Sequence, residues 1–526
     1  MGKAIISCYT FFSNIEVIFL RTYVRKNKLM IVTSLFLLVI VVSITYAYFV
    51  AQGGATSSGS VRVQTSTTDN LSFSVGSSIA LTADQTSFAS GKGNVTGSTT
   101  ATAVLTANNA TNKATEHYYL YFNITNNPFI YTTSSNSAEL ILTITDPNNK
   151  VVTELDGMNY VTSGGVSGFD ITTYSGPIKI ADYYEISASP SKTDTWKVQV
   201  TLVNLNSDQT SNAGKSFTGV LQIGKDVQYT IASSGCTAGS NLATCLTTLS
   251  TKYGQAASLY HHDSNLTLGA EDDSYRYSGP NPDNYVCFGS TASPCPEDNL
   301  YRIIYIKGGQ VKLIKATVAS STLLGTDGDY SSSTSYRWNY KADTTINDGY
   351  GSNDWSTSLL NKTNLNTNFI NKIGTNWSSK IATTVWQVGG AGWDMVTTAG
   401  IKNMYSKEMT TNASTTYSAK IGLMYASDYG FAASPKYWSL PGYNSSGEDI
   451  RKGIKENWLY NGGSYEWTIS RYSSFASSVF NVTTSGYVYY DTALNTNVVR
   501  PSFNLVASTT YASGTGTKID PIRIVI

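Results

Sequence analysis

Residues 117–125 read HYYLYFNIT, and residues 194–205 read DTWKVQVTLVNL. In the first, Tyr118, Leu120, Phe122 and Ile124 fall on one side, while His117, Tyr119, Tyr121 and Asn123 fall on the other. In the second, Trp196, Val198, Val200 and Leu202 oppose Lys197, Gln199 and Thr201. Alternation with a period of two is the mark of a strand with one buried face. The same signal recurs at 61–63, 71–75, 103–106, 140–145 and 217–223. Turn-forming runs such as Asp146-Pro147-Asn148-Asn149 and Ser163-Gly164-Gly165 separate the strands, and no helical pattern intervenes. Residues 60–228 therefore read as an antiparallel β-sandwich.

Upstream, residues 29–50 (LMIVTSLFLLVIVVSITYAYFV) carry no charge. As a helix this run reaches about 33 Å, enough to cross a bilayer core. Lys3, Arg21, Arg25, Lys26 and Lys28 precede it, opposed only by Glu16. That asymmetry places 1–28 in the cytoplasm and everything after residue 50 outside. The run is expected to be a single-pass transmembrane helix or a signal cut at Ala47. Val24 opens VRKNKLM, a natural signal n-region, so the true start could lie beyond residue 23. Residues 51–59 (AQGGATSSG) read as a linker.

The chain has 526 residues, with 36 basic and 35 acidic side chains. Only 13% of residues are charged, against about 25% in typical soluble proteins. A nucleic-acid binder would need a basic stripe, and none is present. Polarity comes instead from Ser, Thr, Asn, Gly and Tyr. Cys236, Cys245, Cys287 and Cys295 would all be outside, which suits disulfides. Four thiols allow three connectivities. Small loops close most cheaply, which favours Cys236–Cys245 and Cys287–Cys295.

Residues 229–284 read as a connector with one short amphipathic helix, on which Leu242, Cys245, Leu246, Leu249 and Tyr253 recur. Ser240 would cap its start and Gly254 would end it. From 285 to 526 the composition changes, and every Trp except Trp196 lies there. Residues 300–306 and 310–316 flank Lys307-Gly308-Gly309 as a hairpin. Residues 356–373 read as one or two short helices broken near 364–366. Short strands close the chain, and the whole reads as one α+β domain. The fold class expected is thus mainly β with α+β.

The phrases DNLYRII (298–304), YSAKIGLMYASDYGFA (417–432), EWTISR (466–471), GYVYY (486–490) and VRPSFNL (499–505) resemble an uncharacterised extracellular domain of Gram-positive gut bacteria. The order W–I-S-R, G-x-V, V-R-P is similar to the ending of formylglycine-generating-enzyme-like domains, which implies a C-type-lectin-like fold. Those enzymes act through a cysteine pair, and no Cys follows Cys295. The resemblance therefore implies the fold without that activity. The stretches ITYAYFVAQ (44–52) and VNLNSDQTSNAGKSFTG (203–219) resemble the signal end and the last strands of camelysin or biofilm-fibre proteins.

Catalytic chemistry finds little material. The extracellular His are His117, His261 and His262, and the adjacent pair would point apart on a strand. Asp394, Asp428, Glu448 and Glu466 are the candidate paired carboxylates for a glycosidase. Each has a plainer role available: Asp428 would cap a turn, and Glu466 would pair with Arg471 or Arg500. Asp327-Gly328-Asp329, and Glu271-Asp272-Asp273 with Asp283, are acidic clusters without the rest of a calcium motif. No enzyme, cofactor or metal is expected. Trp338, Tyr340, Trp355, Trp393 and Tyr443 sit in polar surroundings and are the candidate ligand-binding rings. The expectation is a surface protein that contacts the membrane through 29–50 and binds a glycan or a host or matrix protein without covalent chemistry. The alternatives are a fibre subunit that self-associates through its sandwich, and an enzyme of unknown specificity.

Overall fold

The computed structural model describes residues 59–64, 70–108, 113–226, 229–340, 351–393, 400–409, 416–438 and 456–526. The apolar span at 29–50, the cleavage candidate Ala47, and Tyr443, Asp394 and Glu448 lie outside these residues. Among the described residues no helix is long and apolar enough to cross a membrane.

The first region is eleven strands: β1 (Gly59–Gln64), β2 (Asn70–Val75), β3 (Ile79–Thr82), β4 (Val95–Thr106), β5 (Ala114–Asn126), β6 (Leu140–Thr145), β7 (Tyr160–Ser163), β8 (Val166–Asp170), β9 (Gly176–Ala188), β10 (Ser191–Leu202) and β11 (Ser216–Gly224). They form a seven-stranded sheet in the order β1-β2-β4-β10-β6-β8-β7 and a four-stranded sheet in the order β3-β11-β5-β9. All pairings are antiparallel. One core holds side chains of both sheets, including Phe73, Leu120, Phe122, Trp196, Val198 and Phe217. The face carrying Tyr118, Leu120, Phe122 and Ile124 is the inner one, as the alternation requires. The β7–β8 hairpin turns on Gly164 and Gly165, both at positive φ, which is the backbone a two-residue primed turn demands.

A carboxylate is buried in this first region without a cation. Glu139 is fully buried. One oxygen accepts from the Thr132 amide (2.7 Å) and hydroxyl (2.5 Å). The other accepts from Gln209 (2.8 Å) and Asn212 (2.7 Å). Four neutral donors thus satisfy its lone pairs and tie the 203–212 loop to β6.

The second region begins well before residue 285. The helix Leu242–Tyr253 packs Leu242, Leu246 and Leu249 into the same core as Ile303, Leu313 and Phe503. Strands Leu259–His262 and Ser274–Tyr277 extend a sheet that continues through Leu300–Lys307, Gln310–Lys315, Ser502–Asn504 and Ile421–Gly422. The stretch read as a connector is therefore part of this domain. Its entry also pairs with residues 509–511: the Tyr511 amide donates to the Ser240 carbonyl, the Gly239 amide donates to the Tyr511 carbonyl, and the Leu242 amide donates to the Thr509 carbonyl. Asn241, not Ser240, caps the helix, accepting from the Thr244 amide at 3.0 Å. Ser240 is occupied by the Thr237 turn instead. Gly254 ends the helix as expected from its position. Disulfides join Cys236 to Cys245 and Cys287 to Cys295, with Cα–Cα distances of 5.4 and 5.9 Å. Loops this short gain roughly 2.5 kcal/mol each from cross-linking.

A second sheet of the same domain carries Tyr330–Ser332, Ser335–Arg337, Thr496–Val498, Glu466–Tyr472, Ser478–Val482 and Val488–Thr492 in spatial order. The strand Gly390–Ala391 joins it in parallel beside Arg471 and Tyr472. The break expected near 364–366 is absent. Leu360–Phe369 is a π-helix that runs on into Ile370–Ile373. Its wide turns are held by side chains as well: Thr367 donates to the Lys362 carbonyl and Asn366 to the Asn361 carbonyl, each five residues back.

The outer face of β5 is covered at its centre. Tyr119 and Tyr121 are buried against Ala256, Tyr229 and Tyr253 of the following domain. At this seam Gln255 stands in for a neighbouring strand of β9. Its carboxamide accepts from the Lys179 amide (2.8 Å) and donates to the Lys179 carbonyl (3.0 Å). An edge strand that would otherwise present free backbone groups is thereby blocked at that point.

Candidate functional site

Four segments converge on a cleft of about 210 Å³ in the second domain, lined by Asn353, Asp354, Trp355, Ser356, Tyr417 and Arg471, with Val388 and Thr416 beside them. The parallel pairing of Gly390 with Arg471 brings Val388 alongside. Asn353 is the fixed point. It is 2% exposed, and its amide nitrogen donates to the carbonyls of Tyr472, Phe475 and Ser478. Those three bonds orient its carboxamide oxygen toward Arg471, whose Nε donates to it at 3.1 Å. Burial lowers the Arg471 pKa, which Asp354 partly offsets. The guanidinium remains a cation.

Arg471 differs from the other buried arginines of the domain. Arg500 is clamped by Glu466 through two bonds of 2.7 and 2.9 Å. Arg302 spends its donors on Asn284 and the Trp458 and Pro282 carbonyls. Arg276 bridges Asp272 and Asp428. For Arg471, the bond to Asn353 is the only one among the described residues. Glu466, one of two partners considered for it, is taken by Arg500.

From Tyr472, next to Arg471, a set of stacked aromatic rings extends outward. Tyr472 stacks on Tyr490 (4.2 Å between centroids) and meets Phe475. Tyr490 stacks on Tyr489 (5.0 Å), and Trp393 sits edge-on to both. Phe475 and Tyr489 are exposed.

Among the rings singled out in the sequence, Trp393 belongs to this set and Trp355 borders the cleft. Trp355 is nevertheless 2% exposed, so its face is a packing surface. Its indole N–H is buried without a partner. Trp338 is a correction. It is fully buried against Trp355, and its indole N–H donates to the Thr468 carbonyl. Its polar sequence neighbours concealed a core position. Tyr340 is exposed over the Arg337 guanidinium and does not line the cleft. The sequence does not single out Phe475, Tyr472, Tyr489 or Tyr490 as ligand candidates, although GYVYY contributes to the family resemblance.

The candidate acids are engaged internally. Asp428 is buried between Arg276 (3.1 Å) and Lys312 (2.6 Å) and accepts from the Tyr425 amide. Asp272 accepts from Tyr405 at 2.6 Å and pairs with Arg276 and Lys307. Its pKa is low because Arg276 and these hydrogen bonds outweigh the desolvation that is the largest single influence. Glu271 pairs with Lys402, and Asp273 with His261. Asp329 accepts from the Tyr340 and Leu360 amides. Among the described residues no group of three acidic, His or Cys side chains is arranged to hold a metal. His262 is buried in an aromatic box with Phe431 and Trp438, where desolvation keeps it neutral. Glu408 is fully buried, and desolvation raises its pKa to about 7. Ser470 donates to it at 2.5 Å.

The arrangement offers one cation, hydroxyls, carboxamides and flat rings, which suits reversible binding. Compared with protein-family models, curated proteins and solved structures, the chain matches none.

Proposed function

We propose that this is a bacterial cell-surface protein that binds an extracellular ligand non-covalently through its second domain. The observation that carries the reading is the Arg471 cleft, together with the partly exposed ring set that starts from the adjoining residue Tyr472. Rings with apolar faces and polar edges are energetically efficient contacts for sugars and proteins alike. Two disulfides suit an oxidising exterior. On this reading 29–50 anchors the chain or is removed at Ala47, a β-sandwich spaces the binding module from the surface, and the module is lectin-like.

The test has two arms on the native full-length protein. Surface proteolysis of intact cells, with sequencing of the mature N-terminus, should show the second domain accessible outside. Attachment of those cells to glycan- and matrix-coated surfaces should fall at least tenfold on combining Phe475→Ala with Tyr489→Ala. A chain protected from protease until lysis, or attachment unchanged by the double substitution, would overturn the reading.

The fibre alternative draws on one observation. β1 and β7 are open edges of the seven-stranded sheet. Polymer growth from purified protein without ligand, blocked by a Pro in β1, would favour it.

A further inference from the structure

We infer that the Arg471 cleft is a subsite for the carboxylate of an acidic saccharide. The inference rests on the recognition reading above and names the chemistry its ligand must carry.

Three features argue for a single carboxylate. The Nε edge of the guanidinium is used by Asn353, whose own orientation is fixed by three carbonyls. What remains is the pair of terminal nitrogens, the face that receives a carboxylate in two parallel bonds. A half-buried guanidinium that Asp354 compensates only in part, with no carboxylate at salt-bridge distance among the described residues, keeps a desolvation cost that such a ligand would offset. Trp355, which borders the same cleft, has a buried indole N–H with no hydrogen-bond partner among the described residues.

The rest of the lining selects for what carries the carboxylate. Asp354 is in the cleft with Arg471, so the site is close to neutral overall. A phosphate monoester, with up to two charges, would call for more than one cation, and Asp354 would repel it more strongly than it repels a single carboxylate. A monoanion bearing hydroxyls fits: Arg471 takes the acid, while Asp354, Ser356 and Thr416 offer acceptors and donors for hydroxyls. Among the described residues Val388 is the one aliphatic lining residue, so the described lining offers little apolar surface for a peptide side chain. The neighbouring rings supply flat faces for the C–H surfaces of further sugar units.

The experiment measures binding of the full-length protein to uronate- and sialate-terminated oligosaccharides, each beside its carboxyl-reduced form. The acid forms should bind at least tenfold more tightly. Arg471→Gln should remove that preference. Arg471→Lys keeps the charge but not the fork and should lose most of it. A thermal midpoint within a few degrees of the parent certifies that each variant is folded. Equal affinity for acid and reduced forms, or an acid preference that survives both folded variants, overturns the inference. So does the absence of binding to any acid probe. If cells still attach to a surface through Phe475 and Tyr489 in those cases, the recognition reading stands without it. If attachment is also lost from the parent protein, both fail.

Discussion

The two regions bury carboxylates by different means. In the two-sheet region Glu139 is satisfied by the neutral side chains of Thr132, Gln209 and Asn212 and one backbone amide, two of these groups from Thr132 and two from the 203–212 loop. In the second domain Asp428 is held by Arg276 and Lys312, more than a hundred residues away, and Glu466 by Arg500. Losing one neutral donor leaves one buried acceptor short of a bond, at about 1–3 kcal/mol. A buried cation that loses its anion carries an uncompensated charge. The second domain should therefore be the more brittle of the two.

Asp428→Asn is the sharpest way to break that contrast. The side chain keeps its shape but leaves Arg276 and Lys312 buried together without their shared anion. The second domain should lose about 3–5 kcal/mol. Trp fluorescence during denaturation reads this directly, because every Trp except Trp196 lies in that domain. An unchanged midpoint would mean that solvent reaches the cluster. Glu139→Gln is the matched test in the other region. It replaces an acceptor oxygen with a donor that faces Gln209 and Asn212, and should cost about 1–3 kcal/mol. Strand amides around β6, followed by hydrogen exchange, would report it. A cost equal to that of Asp428→Asn would refute the contrast.

Sequence distance decides what could be read in advance. Strand alternation is local, so Tyr118, Leu120, Phe122, Ile124 and the Trp196 face could be assigned from neighbours alone. The burial of Tyr119 and Tyr121 could not, because the domain that covers them lies more than a hundred residues on. Trp338 was misjudged for the same reason. Its neighbours in the chain are polar, while its neighbours in space are Trp355 and Thr468. Asn364 and Asn366 suggested a helix break, yet both carboxamides are used within the packed domain: Asn364 reaches the Leu324 and Asp327 carbonyls, and Asn366 the Asn361 and Ile421 carbonyls. Of the candidate site, Trp355, Trp393 and Arg471 were noticed, but the cleft that joins Arg471 to Asn353 crosses 118 positions of sequence.

Gln255→Ala tests whether the regions are independent. It removes both bonds to Lys179 and exposes β9 there. A cost of about 1–2 kcal/mol is expected, concentrated at the seam. The Lys179 amide should exchange faster while the β6 amides do not. Uniform loosening of both regions would show that they unfold as one unit.

The smallest expected effect is a pH dependence of the seam. Asp283 lies in a small cavity shared by Tyr121 and Lys179 of one region and Tyr277 of the other. Burial, with Asp182 adding to it, raises its pKa from 3.8 to about 7 against the opposing pull of Lys179 and Arg302. A carboxyl whose folded pKa is raised holds its proton more tightly in the docked state than in the open one. Its contribution is therefore fully present below about pH 4 and is lost as pH rises through about 7. Discounted for the solvent that reaches this half-buried side chain, the change should be about 1 kcal/mol. Protease cleavage at the 225–230 junction, measured at pH 5 and pH 8, should be slower at pH 5. Asp283→Asn removes the titration and should flatten that difference while keeping the slower rate at both values. A pH response that persists in the variant would assign it to Asp156, whose pKa is about 6 for the same main reason, burial.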